Sequence, residues 1–159
     1  MPPMAFGGKR ILVCSDSHGR RAQLLRALDQ QPKADVFVFL GDGAADADFF
    51  PSLGKEAYRV RGNCDWASDL PLWQEFTCMG KKILCTHGHY AYVKYGLDDL
   101  VRAARDHGAD LALYGHTHTP RVDYEDGIYL FNPGSIADGN YGFVDITGAG
   151  IVCVQMKVR

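Results

Sequence analysis

Five short motifs constrain this chain most, because each stands where a run of apolar residues ends. Ile11-Leu12-Val13-Cys14 leads into Asp16-Ser17-His18, Val36 to Leu40 into Gly41-Asp42, and Tyr58 to Arg61 into Gly62-Asn63-Cys64-Asp65. Further on, Lys82 to Thr86 leads into His87-Gly88-His89, and Leu111 to Tyr114 into Gly115-His116-Thr117-His118. Short continuous apolar runs suit strands buried on both faces. A sheet that brings these five exits to one edge would gather Asp16, His18, Asp42, Asn63, His87, His116 and His118. That edge is where open α/β sheets place their ligand sites. Gly19, Gly41, Gly43, Gly62, Gly88 and Gly115 adjoin the motifs and allow the backbone to turn sharply there.

The stretches between the motifs alternate in character. Arg20 to Gln31 places Leu24, Leu25 and Leu28 on one helical face and ends before Pro32, as helices tend to. Strand, helix, strand in that order implies parallel pairing with right-handed crossovers. After Trp66 the rhythm changes. Leu72–Met79 and Lys82–Thr86 flank Gly80-Lys81 and predict a hairpin with its turn there. Leu97, Leu100, Val101 and Ala104 follow helical spacing, with Gly108 as the C-cap. Four further strands are expected at Arg121–Tyr124, Ile128–Phe131, Tyr141–Ile146 and Ile151–Val158. The expected architecture is a layered α/β sandwich forming a single domain over residues 1–159, with residues 1–8 a flexible leader.

Charge and cysteine usage exclude several classes. The formal charge is −2, and Lys and Arg are scattered rather than massed, so no nucleic-acid polymer is expected as partner. Five cysteines without a C-x-x-C pair favour a reducing compartment over a disulfide framework. The N-terminus lacks the basic and apolar regions of a signal peptide, and no apolar stretch is long enough to span a bilayer. A cytoplasmic protein is expected, and its apolar strands would support a homo-oligomer.

Seven oxygen and nitrogen ligands, with no thiolate required, suffice for two divalent cations side by side. Such pairs, about 3.5–4 Å apart, are the usual apparatus for in-line displacement at phosphorus. The mixed carboxylate, imidazole and amide set suits Mn²⁺ best, with Fe, Zn²⁺ and Ni²⁺ next. Singly, the motifs are weak: Gly-Asp and Gly-Asn are ordinary turn chemistry. Together they hold five of the six histidines, leaving only His107 outside. Other residues are expected to be structural. Trp66 and Trp73 read as packing residues, Asp46 and Asp48 as a solvated helix start, and Tyr90, Tyr92 and Tyr95 as partly buried core tyrosines rather than a pocket mouth.

This ordered set, from Asp16-x-His18 to Gly115-His116-x-His118, resembles the calcineurin-like metallophosphoesterase superfamily. Cys64 after Asn63, Asn132-Pro133-Gly134-Ser135 and the short length are similar to its small single-domain prokaryotic phosphodiesterase branch. The resemblance implies a four-layer αββα sandwich of two mixed β-sheets flanked by helices. It implies that Asp16, His18 and His118 hold one metal, Asn63, His87 and His116 the second, and that Asp42 bridges them. A metal-bridging hydroxide would attack phosphorus in line, with Asn63 and His89 contacting the substrate. Many members carry histidine after the ligand asparagine as leaving-group acid; here Cys64 stands there, which favours diesters over alkyl monoesters. Cys64 and His89 are the two candidates for the proton donor. Ser135 lacks the nearby arginine often seen in this branch, which leaves phosphate binding to the metals, Asn63 and backbone N–H groups. The alternatives are a non-catalytic protein-interaction module on the same fold, or a phosphomonoesterase or nucleotide-processing hydrolase acting on a small phosphate ester.

Overall fold

The computed structural model describes residues 7–159, so the leader expected over residues 1–8 falls mostly outside the described residues. Two five-stranded mixed sheets pack face to face. The first runs in the order β10-β9-β1-β2-β3, with β1 Lys9–Cys14, β2 Val36–Phe39, β3 Glu56–Arg59, β9 Asn140–Thr147 and β10 Gly150–Lys157. The second runs β4-β5-β6-β8-β7, with β4 Trp73–Cys78, β5 Lys81–Thr86, β6 Leu111–Leu113, β7 Arg121–Glu125 and β8 Ile128–Asn132. In each, three strands are parallel (β1-β2-β3 and β5-β6-β8) and antiparallel strands complete the sheet.

The period-2 alternation of side chains distributes each strand between two layers. Ile11 and Val13 of β1 face the second sheet and pack with Val38, Ile83, Cys85, Leu113 and Phe131. Leu12 and Cys14, the alternate positions, face outward and lie under helix α1 (Arg21–Gln30). On the far side, Leu84, Ala112 and Leu130 lie under α2 (Asp98–Asp106), which buries Leu100, Val101 and Ala104. Each fully buried Leu, Val or Ile contributes about 1.5–3 kcal/mol. The result is the four-layer αββα sandwich. Among the described residues no helix is long and apolar enough to cross a membrane.

Four local expectations shift. Leu25 is 46% exposed, and Ala27 joins Leu24 on the buried face of α1 instead. The hairpin turn is Met79-Gly80 rather than Gly80-Lys81, since Cys78 pairs with Lys81 and both turn residues have positive φ (51° and 78°). That is the combination that matches the twist of the flanking strands. The third strand begins at Glu56 and ends at Arg59, so Val60 to Gly62 form the connection to Asn63. Gly108 lies one position beyond the cap residue His107, with φ +68°.

Candidate metal centre

The exits of β1, β2, β3, β5 and β6 meet at one edge, and backbone hydrogen bonds lock them together. Asp16 donates its N–H to the Gly41 carbonyl at 2.9 Å, and His18 to the Asp42 carbonyl at 3.0 Å. His116 donates to Asp16 Oδ2 at 3.1 Å, and Ser135 Oγ to the Asp16 carbonyl at 2.7 Å. Gly115 sits against Ser15 so closely that a Cβ there would lie 2.1 Å from Ser15 Oγ. Five of the seven expected ligands, Asp16, His18, Asp42, His116 and His118, adopt positive φ between 44° and 72°. Left-handed backbone at non-glycine residues is uncommon and clusters at functional sites, where surrounding structure enforces it.

The side chains converge as the local geometry requires. His87 is fully buried, and its Nδ1 lies 2.7 Å from the Leu40 carbonyl. A carbonyl can only accept, so Nδ1 carries the proton donated to it and Nε2 points into the site. Around that Nε2 stand Asn63 Oδ1 at 3.0 Å, Asp42 Oδ2 at 3.2 Å and His116 Nδ1 at 3.2 Å. One ring nitrogen cannot satisfy three such atoms with a single proton; a cation among them can. Asp42, His87 and His116 place ligand atoms within 4.8 Å of one another.

Asp16, His18 and His118 form a neighbouring group of the same kind. His118 Nε2 lies 3.2 Å and His18 Nε2 3.5 Å from Asp16 Oδ1, and the two imidazole nitrogens are 3.3 Å apart. Asp16 Oδ1 is buried and makes no hydrogen bond. A buried carboxylate oxygen without a donor is costly, and a divalent cation would satisfy it. The donor set and this orphaned atom fit metal ions. Asp42 Oδ2 is 3.9 Å from His18 Nε2, so one carboxylate faces both groups. A third combination, His18, Asp42 and Cys64, also meets the same spacing.

Electrostatics agree with that geometry. Burial pushes the Asp42 carboxyl up, but the hydrogen bond and charge of His87 with the Cys64 N–H outweigh it and hold it well below the usual carboxylate range. Burial lowers His87, yet Asp42 and Asp16 together raise it. Burial and the charge of His87 push His116 down to about 4, leaving its imidazole neutral and free to bind a cation near pH 7. His89 is lowered by burial and by His87.

Two aspartates absent from the expected site hold its loops. Asp65 accepts four backbone N–H groups: Asp42 at 2.7 Å, Gly62 at 2.8 Å, Gly43 at 2.9 Å and Ala44 at 3.0 Å. Asp46 was expected at a solvated helix start; no helix forms there, and its Oδ2 accepts Ser17 Oγ at 2.6 Å and the Gly19 N–H at 2.8 Å. Cys64 is exposed, donates its backbone N–H to Asp42 Oδ1 at 2.8 Å, and has its thiol raised by burial and by Asp42. His89 sits in a one-turn 3-10 helix, 5.4 Å ring to ring from His87, with Nδ1 buried and unpartnered. The expected packing tyrosines are instead exposed: Tyr90 and Tyr92 by 60% each and Tyr95 by 89%. Trp66 is 90% exposed, whereas Trp73 does pack beside α2, stacked on His107.

Comparison with known proteins agrees. Residues 10–149 match the model of the calcineurin-like phosphoesterase superfamily domain. The chain is 35% identical to the probable metallophosphoesterase YsnB of Bacillus subtilis, over 79% of this chain and 74% of that one. It is 30% identical to phosphodiesterase YfcE of Escherichia coli, over 86% and 87% of the two chains. The crystal structure of a predicted phosphoesterase from Streptococcus pneumoniae superimposes with a TM-score of 0.83 at 26% identity, covering 96% of this chain and 91% of the other.

Proposed function

Because the chain belongs to the calcineurin-like phosphoesterase superfamily, we propose that it hydrolyses small phosphate diesters with two divalent cations held between its strand exits. The observation that carries this reading is Asp42, whose Oδ2 faces both ligand groups beside the orphaned Asp16 Oδ1. In this reading Asp16, His18 and His118 hold one ion, Asn63, His87 and His116 the other, and Asp42 both. Mn²⁺ suits the mixed oxygen and nitrogen donors. Such ions, when bound, supply a water that ionises near neutral pH and positive charge for the phosphoryl oxygens.

The chain's own residues do the rest. Leu40 fixes the tautomer of His87, and Asp65 and Asp46 hold the ligand loops. Asn63 is exposed beside the centre, so its amide can reach a phosphoryl oxygen. His89, with a lowered pKa, is neutral near pH 7 and can contact the phosphoryl group or the departing oxygen. Cys64, whose thiol is raised above its ordinary value, is a poor proton donor at that pH. A diester with an acidic leaving group needs little such help; an alkyl monoester needs much.

The direct test strips the protein of metal and assays bis(p-nitrophenyl) phosphate and p-nitrophenyl phosphate with and without Mn²⁺. Strong Mn²⁺-dependent cleavage of the diester, with two metal equivalents by elemental analysis, is the expected result. Absence of turnover with Mn²⁺, Ni²⁺, Zn²⁺ and Fe²⁺ while two ions bind would favour an interaction module instead. A second test concerns the acid. Cys64→His places an imidazole where the thiol stands, and general acid catalysis contributes typically ~10²–10⁴-fold. Phosphate release from β-glycerol phosphate should rise at least ~10-fold relative to diester cleavage; an unchanged ratio would remove Cys64 from the account.

A further inference from the structure

Trp66 lines two open clefts, one that includes the candidate ligand Asn63 and one that includes its neighbour Cys64. One, of about 440 Å³, also includes Cys64, Arg59 and Asp69. The other, of about 270 Å³, includes Asn63, His89, Tyr90 and Arg61. An indole that is 90% exposed is apolar surface that internal packing does not explain. Nor does it sit on a loose loop. Asp65 is clamped by its four N–H donors, Ser68 donates its N–H to Asp65, Arg61 donates to the Pro71 carbonyl, and the Arg61 guanidinium donates to the Ser68 carbonyl at 3.3 Å. Tyr90, 60% exposed, packs its ring 4.7 Å from that of His89, and both line the second cleft.

From this arrangement we infer that the substrate is a phosphate diester in which one esterifying alcohol carries a flat aromatic ring, stacked on Trp66 and flanked by Tyr90. This deepens the phosphodiesterase reading and rests on it for the position of the phosphorus. Two clefts beside one centre suit a diester, whose two organic arms leave phosphorus in different directions. The smaller cleft lies just below the usual ~300–1,000 Å³ of ligand pockets and takes a single ring system, not a chain of bases. No lysine lines either cleft, and the Arg59 and Arg61 guanidinium groups each commit one N–H to a backbone carbonyl. Aromatic stacking recognises a ring by its face and tolerates many ring types.

The test compares two esters with the same leaving group, thymidine 5′-p-nitrophenyl phosphate and methyl p-nitrophenyl phosphate, on the Mn²⁺-loaded protein. The thymidine ester should show the higher kcat/KM by at least about tenfold, within the range that one stacked base supplies. In Trp66→Ala the ratio should collapse to about three or less, while Tyr95→Ala, an equally exposed aromatic outside both clefts, should keep it. Independently of turnover, thymidine 5′-monophosphate should quench the remaining indole of a Trp73→Phe variant, and methyl phosphate should not. If neither ester is cleaved, the phosphodiesterase reading fails, and the quenching titration still decides for or against ring binding at Trp66. A wild-type ratio near one, a ratio indifferent to Trp66→Ala, or no quenching would overturn the inference.

Discussion

Asp42→Asn should lower Mn²⁺-dependent diester cleavage by at least ~10³-fold while the metal-free protein keeps its fold. The substitution preserves shape, and the remaining carbonyl oxygen can still accept the Cys64 N–H that Asp42 Oδ1 accepts at 2.8 Å. What it removes is the charge facing both ligand groups, 3.2 Å from His87 and 3.9 Å from His18. In the metal-free state that loss is partly relieved, because Asp16 is a second buried carboxylate in the same small volume. With metal the loss is direct. A ligand at 100 times its Kd stabilises the folded state by about 2.7 kcal/mol, or about 5–10 °C in Tm for a chain of this size. Wild-type protein should show that rise with Mn²⁺, and the variant should show little of it. Calorimetry with and without metal, alongside the diester assay, separates the two effects. Retention of more than a tenth of the activity, or an undiminished thermal shift, would mean that Asp42 does not serve both ions.

What could be read in the sequence was whatever is written in local pattern. Apolar runs at β1, β2, β5 and β6 mark buried strands, and the residues at the strand exits, Asp16, His18, Asp42, Asn63, His87, His116 and His118, could be named beforehand as side chains that the fold brings together. What escaped depends on contacts distant in sequence. Asp65 binds N–H groups 21 to 23 residues away, and Asp46 binds Ser17 and Gly19 across 27 to 29 residues. Apart from Gly62, three residues before Asp65, none of these partners lies near its aspartate in sequence. Trp66 and Tyr90 escaped because residue type says that a side chain is apolar, not that the fold supplies something to cover it. Glycines signal positive φ, but Asp16, His18, Asp42, His116 and His118 adopt it without that signal, held there by the loops that they join.

Asp65→Ala should then be the most destabilising substitution at the site, although Asp65 coordinates nothing in this account. Its carboxylate joins the β2 exit to the β3 exit by accepting N–H groups from Asp42, Gly43, Ala44 and Gly62. These loops already touch: a Cβ on Gly62 would lie 2.1 Å from Asp42 Oδ1, and one on Gly41 would lie 2.5 Å from the Gly62 nitrogen. Such close approach of two backbones exposes their N–H dipoles to each other, and one carboxylate between them satisfies all four. Hydrogen bonds to a charged acceptor are worth about 1.5–3 kcal/mol each, and partial exposure lets water recover some of that when the acceptor is removed. A net loss of about 3–5 kcal/mol follows, read as a fall in metal-free Tm of roughly 10–15 °C. Asp65→Asn, which keeps one acceptor oxygen, should fall between. Diester activity should drop in step, because Asp42 and Asn63 stand on the two loops that separate. The contrast with Asp42→Asn is the discriminating one: there the metal-free protein is stable and the metal response is lost, here the metal-free protein itself is weakened. An Asp65→Ala protein within ~1 kcal/mol of wild type would show that the ligand loops hold their left-handed backbone without this clamp.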